Sequence, residues 1–118
     1  MLKITTSKQM RFKATVDFLM PDGPRSFIAV FDMLPDTEMD ALASVHREPN
    51  PDQIWSGAAD KAVLRRAWVG WEQIMDEETG KPLDYSDEAR EYIMSVIPLR
   101  NAVIRTYFEA IAGAKRKN

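Results

Sequence analysis

Cysteine is absent from the 118 residues, which excludes disulfides, thiolate nucleophiles and zinc–thiolate sites. That absence suits a reducing compartment. There is no excess of basic charge: 16 Lys and Arg stand against 18 Asp and Glu, for a formal charge of −2. A nucleic-acid partner normally calls for a basic patch on a basic domain. No apolar run is long enough to span a bilayer, and Met1-Leu2-Lys3-Ile4-Thr5-Thr6-Ser7 lacks the apolar centre of a signal peptide. A cytoplasmic protein with no membrane and no nucleic-acid partner is the expectation. Glycine is scarce, and neither Gly70 nor Gly80 belongs to a phosphate-binding pattern. Histidine occurs once, as His46, and no nucleophile motif accompanies it. General-base work needs such a partner, so a structural role is expected.

The length fits one domain, residues 1–118, large enough to bury a core without staples. Arg11 to Phe18 alternates, with Phe12, Ala14, Val16 and Phe18 on one side and Arg11, Lys13, Thr15 and Asp17 on the other. Period two predicts a strand with one wet face. Pro21-Asp22-Gly23-Pro24 is a turn signal. Phe27 to Met33 then reads as a second strand, so residues 11–33 form a β-hairpin. Both of its side-chain sets, Phe27/Ala29/Phe31 and Ile28/Val30, are apolar. The strand is therefore covered on both faces, or one face binds something.

Residues 36–112 read as a helical region. Pro35-Asp36-Thr37-Glu38 opens a first helix with a capping side chain and early acids. Met39, Leu42, Ala43 and His46 share a face, and Pro49 and Pro51 stop the helix by Glu48. A second helix is expected after Asp52. Its apolar stripe is Ile54, Trp55, Ala58, Ala59, Ala62, Val63 and Ala67; Asp60, Lys61, Arg65 and Arg66 face water. Ser86-Asp87-Glu88 opens a third, burying Ala89, Tyr92, Ile93, Val96 and Ile97. The last helix runs from about Pro98 to Ala112, with Leu99, Ala102, Val103, Tyr107, Ala110 and Ile111 as its stripe. Ile104 and Phe108 form a second stripe on an adjacent face. Gly113 ends the helix, and Lys115-Arg116-Lys117 is a solvated tail. The expected fold is α+β, mostly α-helical, with an N-terminal hairpin.

Between the second and third helices lies the connector Trp68–Ser86. Its first part, Val69 to Met75, reads as a short extended segment. Gly70 and Gly80 mark turns, and Asp76 to Gly80 is a polar turn. Asp76-Glu77-Glu78 lacks the spaced oxygen ligands of a calcium loop, so a solvated turn is expected there rather than a metal site. Trp55, Trp68 and Trp71 are either core-closing rings or a partner-binding patch. Trp71 leans to the core, while Trp55 leaves both readings open. A helix apolar on two faces must be central or bury the extra face against another chain. Phe27, Ile28, Val30, Trp55, Ile104 and Phe108 are accordingly the candidate interaction surface.

At Val69-Gly70-Trp71, Asp76, Gly80-Lys81-Pro82-Leu83 and Tyr85-Ser86 the chain resembles the tail assembly chaperones of long-tailed bacteriophages and prophages. The likeness extends upstream over the Ala59…Leu64 helix. Downstream it takes in Ile93…Val96-Ile97-Pro98 and Ile104…Tyr107-Phe108, covering about Ala58 to Ala112. The turn departs from the family pattern at Trp68, Met75 and Glu77-Glu78-Thr79. The motif residues Gly70, Trp71, Asp76, Gly80, Pro82, Tyr85 and Ser86 are structural ones. The resemblance implies a small protein of the host cytoplasm, absent from the mature virion. Such a protein keeps the tape measure protein soluble and helps recruit tail tube subunits. It implies no enzyme activity, no cofactor and a homo-oligomer. It also implies, in many phages, a longer frameshifted form, for which Lys115-Arg116-Lys117-Asn118 could mark the slip. The alternatives are a structural head–tail connector or tail-completion protein, and a small DNA-binding regulator using the helices between Pro49 and Trp68.

Overall fold

The hairpin forms where the alternation places it, in a computed structural model that describes residues 1–45 and 55–113. His46, the Pro49–Asp52 loop, Ile54 and the Lys115-Arg116-Lys117 tail lie outside the described residues. Strand β1 (Arg11–Met20) buries Val16 and half-buries Phe12, Ala14 and Phe18, while Arg11, Lys13, Thr15 and Asp17 are exposed. Strand β2 (Gly23–Asp32) begins four residues before the expected Phe27, because pairing runs out to Met20 opposite Gly23 and the chain reverses at Pro21-Asp22. Phe27, Ala29 and Phe31 are buried beneath it.

The helices are α1 (Asp36–Val45), α2 (Ala58–Ala67), α3 (Asp87–Met94) and α4 (Ile97–Ala112). They hold 42% of the described residues and strands hold 28%, so the domain is mixed rather than mostly helical. The difference comes from the connector. Its first residues form strand β3 (Trp68–Glu72), which pairs antiparallel with β2 and completes a sheet in the order β1-β2-β3. The central position of β2 explains its two apolar sets. Gly70 is thus not a turn residue; it sits inside β3 opposite Val30. Beyond Gln73, whose φ is +69°, the short strands β4 (Met75–Asp76) and β5 (Lys81–Pro82) enclose the expected polar turn.

A bulge decides how β3 meets the core. Val30 pairs with Gly70, but Phe31 pairs with Trp68, leaving Val69 as the extra residue. Trp68 and Trp71 are three apart, and in a regular strand they would point to opposite faces. The bulge turns both inward, with ring centroids 5.4 Å apart. Phe27 lies 6.1 Å from Trp68, and Phe31 lies 5.0 Å from Tyr107. Each such aromatic pair contributes about 0.5–1.5 kcal/mol beyond its buried area.

The helices pack on this face of the sheet. Ser86 Oγ accepts from the Ala89 N–H at 3.0 Å and caps α3, as its sequence position predicts. Pro98 occupies the first turn of α4, and Gly113 closes that helix. Helix α4 lies along β1 and buries Ala102, Val103, Ile104 and Tyr107. The Tyr107 hydroxyl accepts from the Leu34 N–H and donates to the Asp32 carbonyl, both at 3.0 Å, tying the end of β2 to α4. Burial raises the pKa of this phenol.

Several placements differ from the sequence pattern. Helix α2 starts at Ala58 rather than just after Asp52, so Trp55 sits in a turn before it and Ala58 and Ala59 are exposed. Leu64 joins Val63 and Ala67 in the core instead. Ala43 is exposed beside half-buried Met39 and Leu42. On α3 the surface residue is Tyr92 and the buried one is Arg90.

Candidate functional site

The motif residues converge on the connector. Trp71 Nε1 donates to the Leu83 carbonyl at 2.8 Å, and its ring meets Tyr85 edge-on at 4.9 Å. The Leu83 N–H donates to the Ile74 carbonyl at 2.8 Å, which extends the small hairpin. Asp76 organises the turn twice. Its carboxylate accepts from the Glu78 N–H at 2.9 Å, and its carbonyl accepts from the Gly80 N–H at 2.8 Å. Gly80 has φ +71°, the left-handed region that this turn requires. The acids of Asp76-Glu77-Glu78 thus belong to a turn. Among the described residues no cluster of His, Cys, Asp and Glu is placed to hold a metal ion.

Arg90 is the post beneath the connector. It is 8% exposed, and its Nη1 lies within hydrogen-bonding distance of three acceptors. These are the Arg65 carbonyl (3.2 Å), the Trp68 carbonyl (3.1 Å) and the Tyr85 hydroxyl (2.9 Å). The first belongs to the last turn of α2, where carbonyls lack helical partners and a cation is favoured. Tyr85 is 3.2 Å from Asp87 Oδ1, and burial raises its pKa. Arg100 works similarly at the other end of α2. Its guanidinium donates to the carbonyls of Met94 and Trp55, each at 3.1 Å.

Gly57, the residue before α2, has φ +63°, and a Cβ there would collide with the Arg100 guanidinium. Gly57→Ala is expected to destabilise the fold by about 2 kcal/mol, since a left-handed backbone alone costs an L-residue about 1–2 kcal/mol. Urea unfolding measures this; an unchanged midpoint would show that the Gly57–Arg100 packing does not hold the helix start.

Next to this framework lies an apolar groove of about 440 Å³. Four separated segments wall it: the turn end of the hairpin (Phe18, Met20), the connector (Ile74, Met75, Leu83) and the outer side of α3 (Tyr92), with Val96 and Leu99 below. Met75 is 67% exposed and Tyr92 is 72% exposed at its rim. Arg25 is the one charged lining residue, and it pairs with Asp22 at 2.8 Å. Methionine is unbranched and polarisable, so such a surface adapts to varied apolar side chains.

Comparisons with family models, with curated proteins and with solved structures return no match.

The interaction residues named from sequence are scattered. Ile104 lies in the core and offers no surface, which corrects its assignment, whereas Phe27 is buried in the core and lines the groove from within. Ile28 and Val30 are half-buried on the sheet face away from the helices, where Lys13 and Glu72 form an ion pair at 2.5 Å spanning β2. Phe108 is 41% exposed on α4 and Trp55 is 69% exposed before α2. None of these four lines the groove. Arg65 and Arg66 are each held by a carboxylate, Glu91 at 2.8 Å and Glu38 respectively. The Arg65 hydrogen bond holds the Glu91 carboxyl below its usual pKa. Among the described residues no helix is long and apolar enough to cross a membrane.

Proposed function

We propose that this protein is a phage tail assembly chaperone whose client, the tape measure protein, docks in the groove rimmed by Met75 and Tyr92. The observation that carries this is the position of the groove. Gln73, Ile74, Met75 and Leu83 of the connector build one of its walls, within the stretch over which the family resemblance runs. A tape measure protein is long, helical and apolar along one side. An adaptable apolar groove suits the i, i+3, i+4 and i+7 side chains of such a helix. Each contact is weak, and many copies along one client raise the avidity. In this reading the protein works in the host cytoplasm, helps bring tail tube subunits to the client and is absent from the virion. It has no enzyme activity and no cofactor, and neither nucleic acid nor membrane is a partner.

Co-expression with the tape measure protein tests this. Wild type is expected to keep the client soluble and co-purify with it. Met75→Glu combined with Tyr92→Glu is expected to lose the client while keeping its circular dichroism and unfolding midpoint, since exposed substitutions usually shift stability by less than about 0.5 kcal/mol each. Equal capture by both proteins would rule out the groove. Mass spectrometry of purified particles separates the chaperone from a structural connector, which would remain in them.

A further inference from the structure

The outer edge of β1 is an unpaired strand edge with a self-complementary sequence. The Met10 carbonyl accepts from the Met33 N–H at 2.8 Å, so it faces the β2 side. The Asp17 carbonyl faces the other way and accepts from Arg105 Nη2 of α4 at 3.3 Å. Backbone direction alternates along an antiparallel strand. The N–H and C=O groups of Arg11, Lys13, Thr15, Asp17 and Leu19 therefore point away from β2. Among the described residues no backbone group bonds to them. An edge of this length is a template for another strand.

We infer that a second copy of this chain pairs with that edge, antiparallel, about a two-fold axis at Thr15. This register places Thr15 opposite its own counterpart and Lys13 opposite Asp17, once from each copy. On the core face it places Phe12 opposite Phe18 and Ala14 opposite Val16. The outward groups meet only when odd-numbered residues oppose odd-numbered ones, and this register satisfies that rule over residues 11–19. Moving the axis to Val16 puts Lys13 opposite Leu19 and removes both charge pairs. Moving it to Ala14 shortens the overlap and sets Asp17 against Arg11, whose guanidinium is already bidentate on Asp32 at 2.7 and 3.2 Å.

Asp17 has no ion pair among the described residues, unlike Asp32 and Glu72. Lys13 already meets Glu72, and its ammonium has donors to spare for a second carboxylate. The two-fold axis keeps both helical layers on the same side of one six-stranded sheet. Arg105 marks the flank of α4 that overhangs the edge, and Phe108 lies one turn further along it. That exposed ring would then be covered by the second α4. This inference rests on strand geometry and is independent of the proposed client.

Sedimentation and cysteine cross-linking test it on the full chain. Wild type should be dimeric at micromolar concentrations. Thr15→Pro should weaken the dimer by at least about tenfold while preserving circular dichroism, because the Thr15 N–H faces outward and proline is tolerated on edge strands. In this cysteine-free chain, Thr15→Cys should oxidise to a covalent dimer, since hydrogen-bonded pairs place Cα atoms about 5.5 Å apart, within disulfide reach. Lys13→Cys and Asp17→Cys should cross-link when both are present in one chain and not singly. A monomeric wild type would overturn the inference, as would a dimer indifferent to a folded Thr15→Pro. If Thr15→Pro unfolds, the cysteine pattern decides: self-linking at position 13 or 17 alone, or none at 15, overturns it.

Discussion

Trp71→Ala is expected to lower the unfolding free energy by about 3–5 kcal/mol, the range for truncating a buried aromatic. The ring closes the gap between Trp68 at 5.4 Å and Tyr85 at 4.9 Å, so its removal leaves a cavity flanked by two large side chains. The Leu83 carbonyl loses its indole donor in the same step. Trp71→Phe separates the two contributions: it keeps most of the apolar area, drops the N–H and should cost about 1–2 kcal/mol. Urea unfolding monitored by circular dichroism measures both. A wild-type midpoint for Trp71→Ala would place the ring outside the core and dissolve the account of the connector.

Arg90→Ala is the second large effect, an expected loss of about 2–4 kcal/mol. A charged donor that serves the carbonyls of Arg65 and Trp68 cannot be deleted cheaply, because buried acceptors left without a partner cost about 1–3 kcal/mol. Three acceptors converge on one planar guanidinium, so Arg90→Lys should recover only part of the loss. If Arg90→Lys matches wild type in urea unfolding, the site needs only a positive charge. If Arg90→Ala does so as well, Arg90 has no role in joining α2, β3 and α3.

The hairpin was legible in the sequence because alternation and a Pro-Asp-Gly-Pro turn are local signals. An extended segment from Val69 was legible too, and β3 forms there, but its place in the sheet was not. Trp68 and Trp71 are out of phase for a strand, and only the bulge opposite Val30 and Phe31 brings both inward. That bulge is a property of the pairing and not of the five residues themselves. Tyr92 was expected on the buried face of α3 and is exposed for a similar reason. Ala89 and Ile93 are compatible with either neighbour, and burial of Met94 turns the helix so that Arg90 goes under. Trp55 continued the alanine spacing of α2, but Gly57 breaks the helix before it. Ile104 carried two readings, a central helix or a partner, and the packing of α4 chooses the first. The groove itself was not legible, since four segments distant in sequence build it.

Methyl NMR of methionine-labelled protein, titrated with helical segments of the tape measure protein, tests the central claim most directly. The chain has seven methionines, which sort by position. Met20 and Met75 line the groove, Met94 is in the core and Met1 is at the exposed N-terminus. The account predicts saturable shifts at Met20 and Met75 with Met1 unmoved. Binding that leaves Met20 and Met75 unmoved, or no binding by any segment, would contradict it.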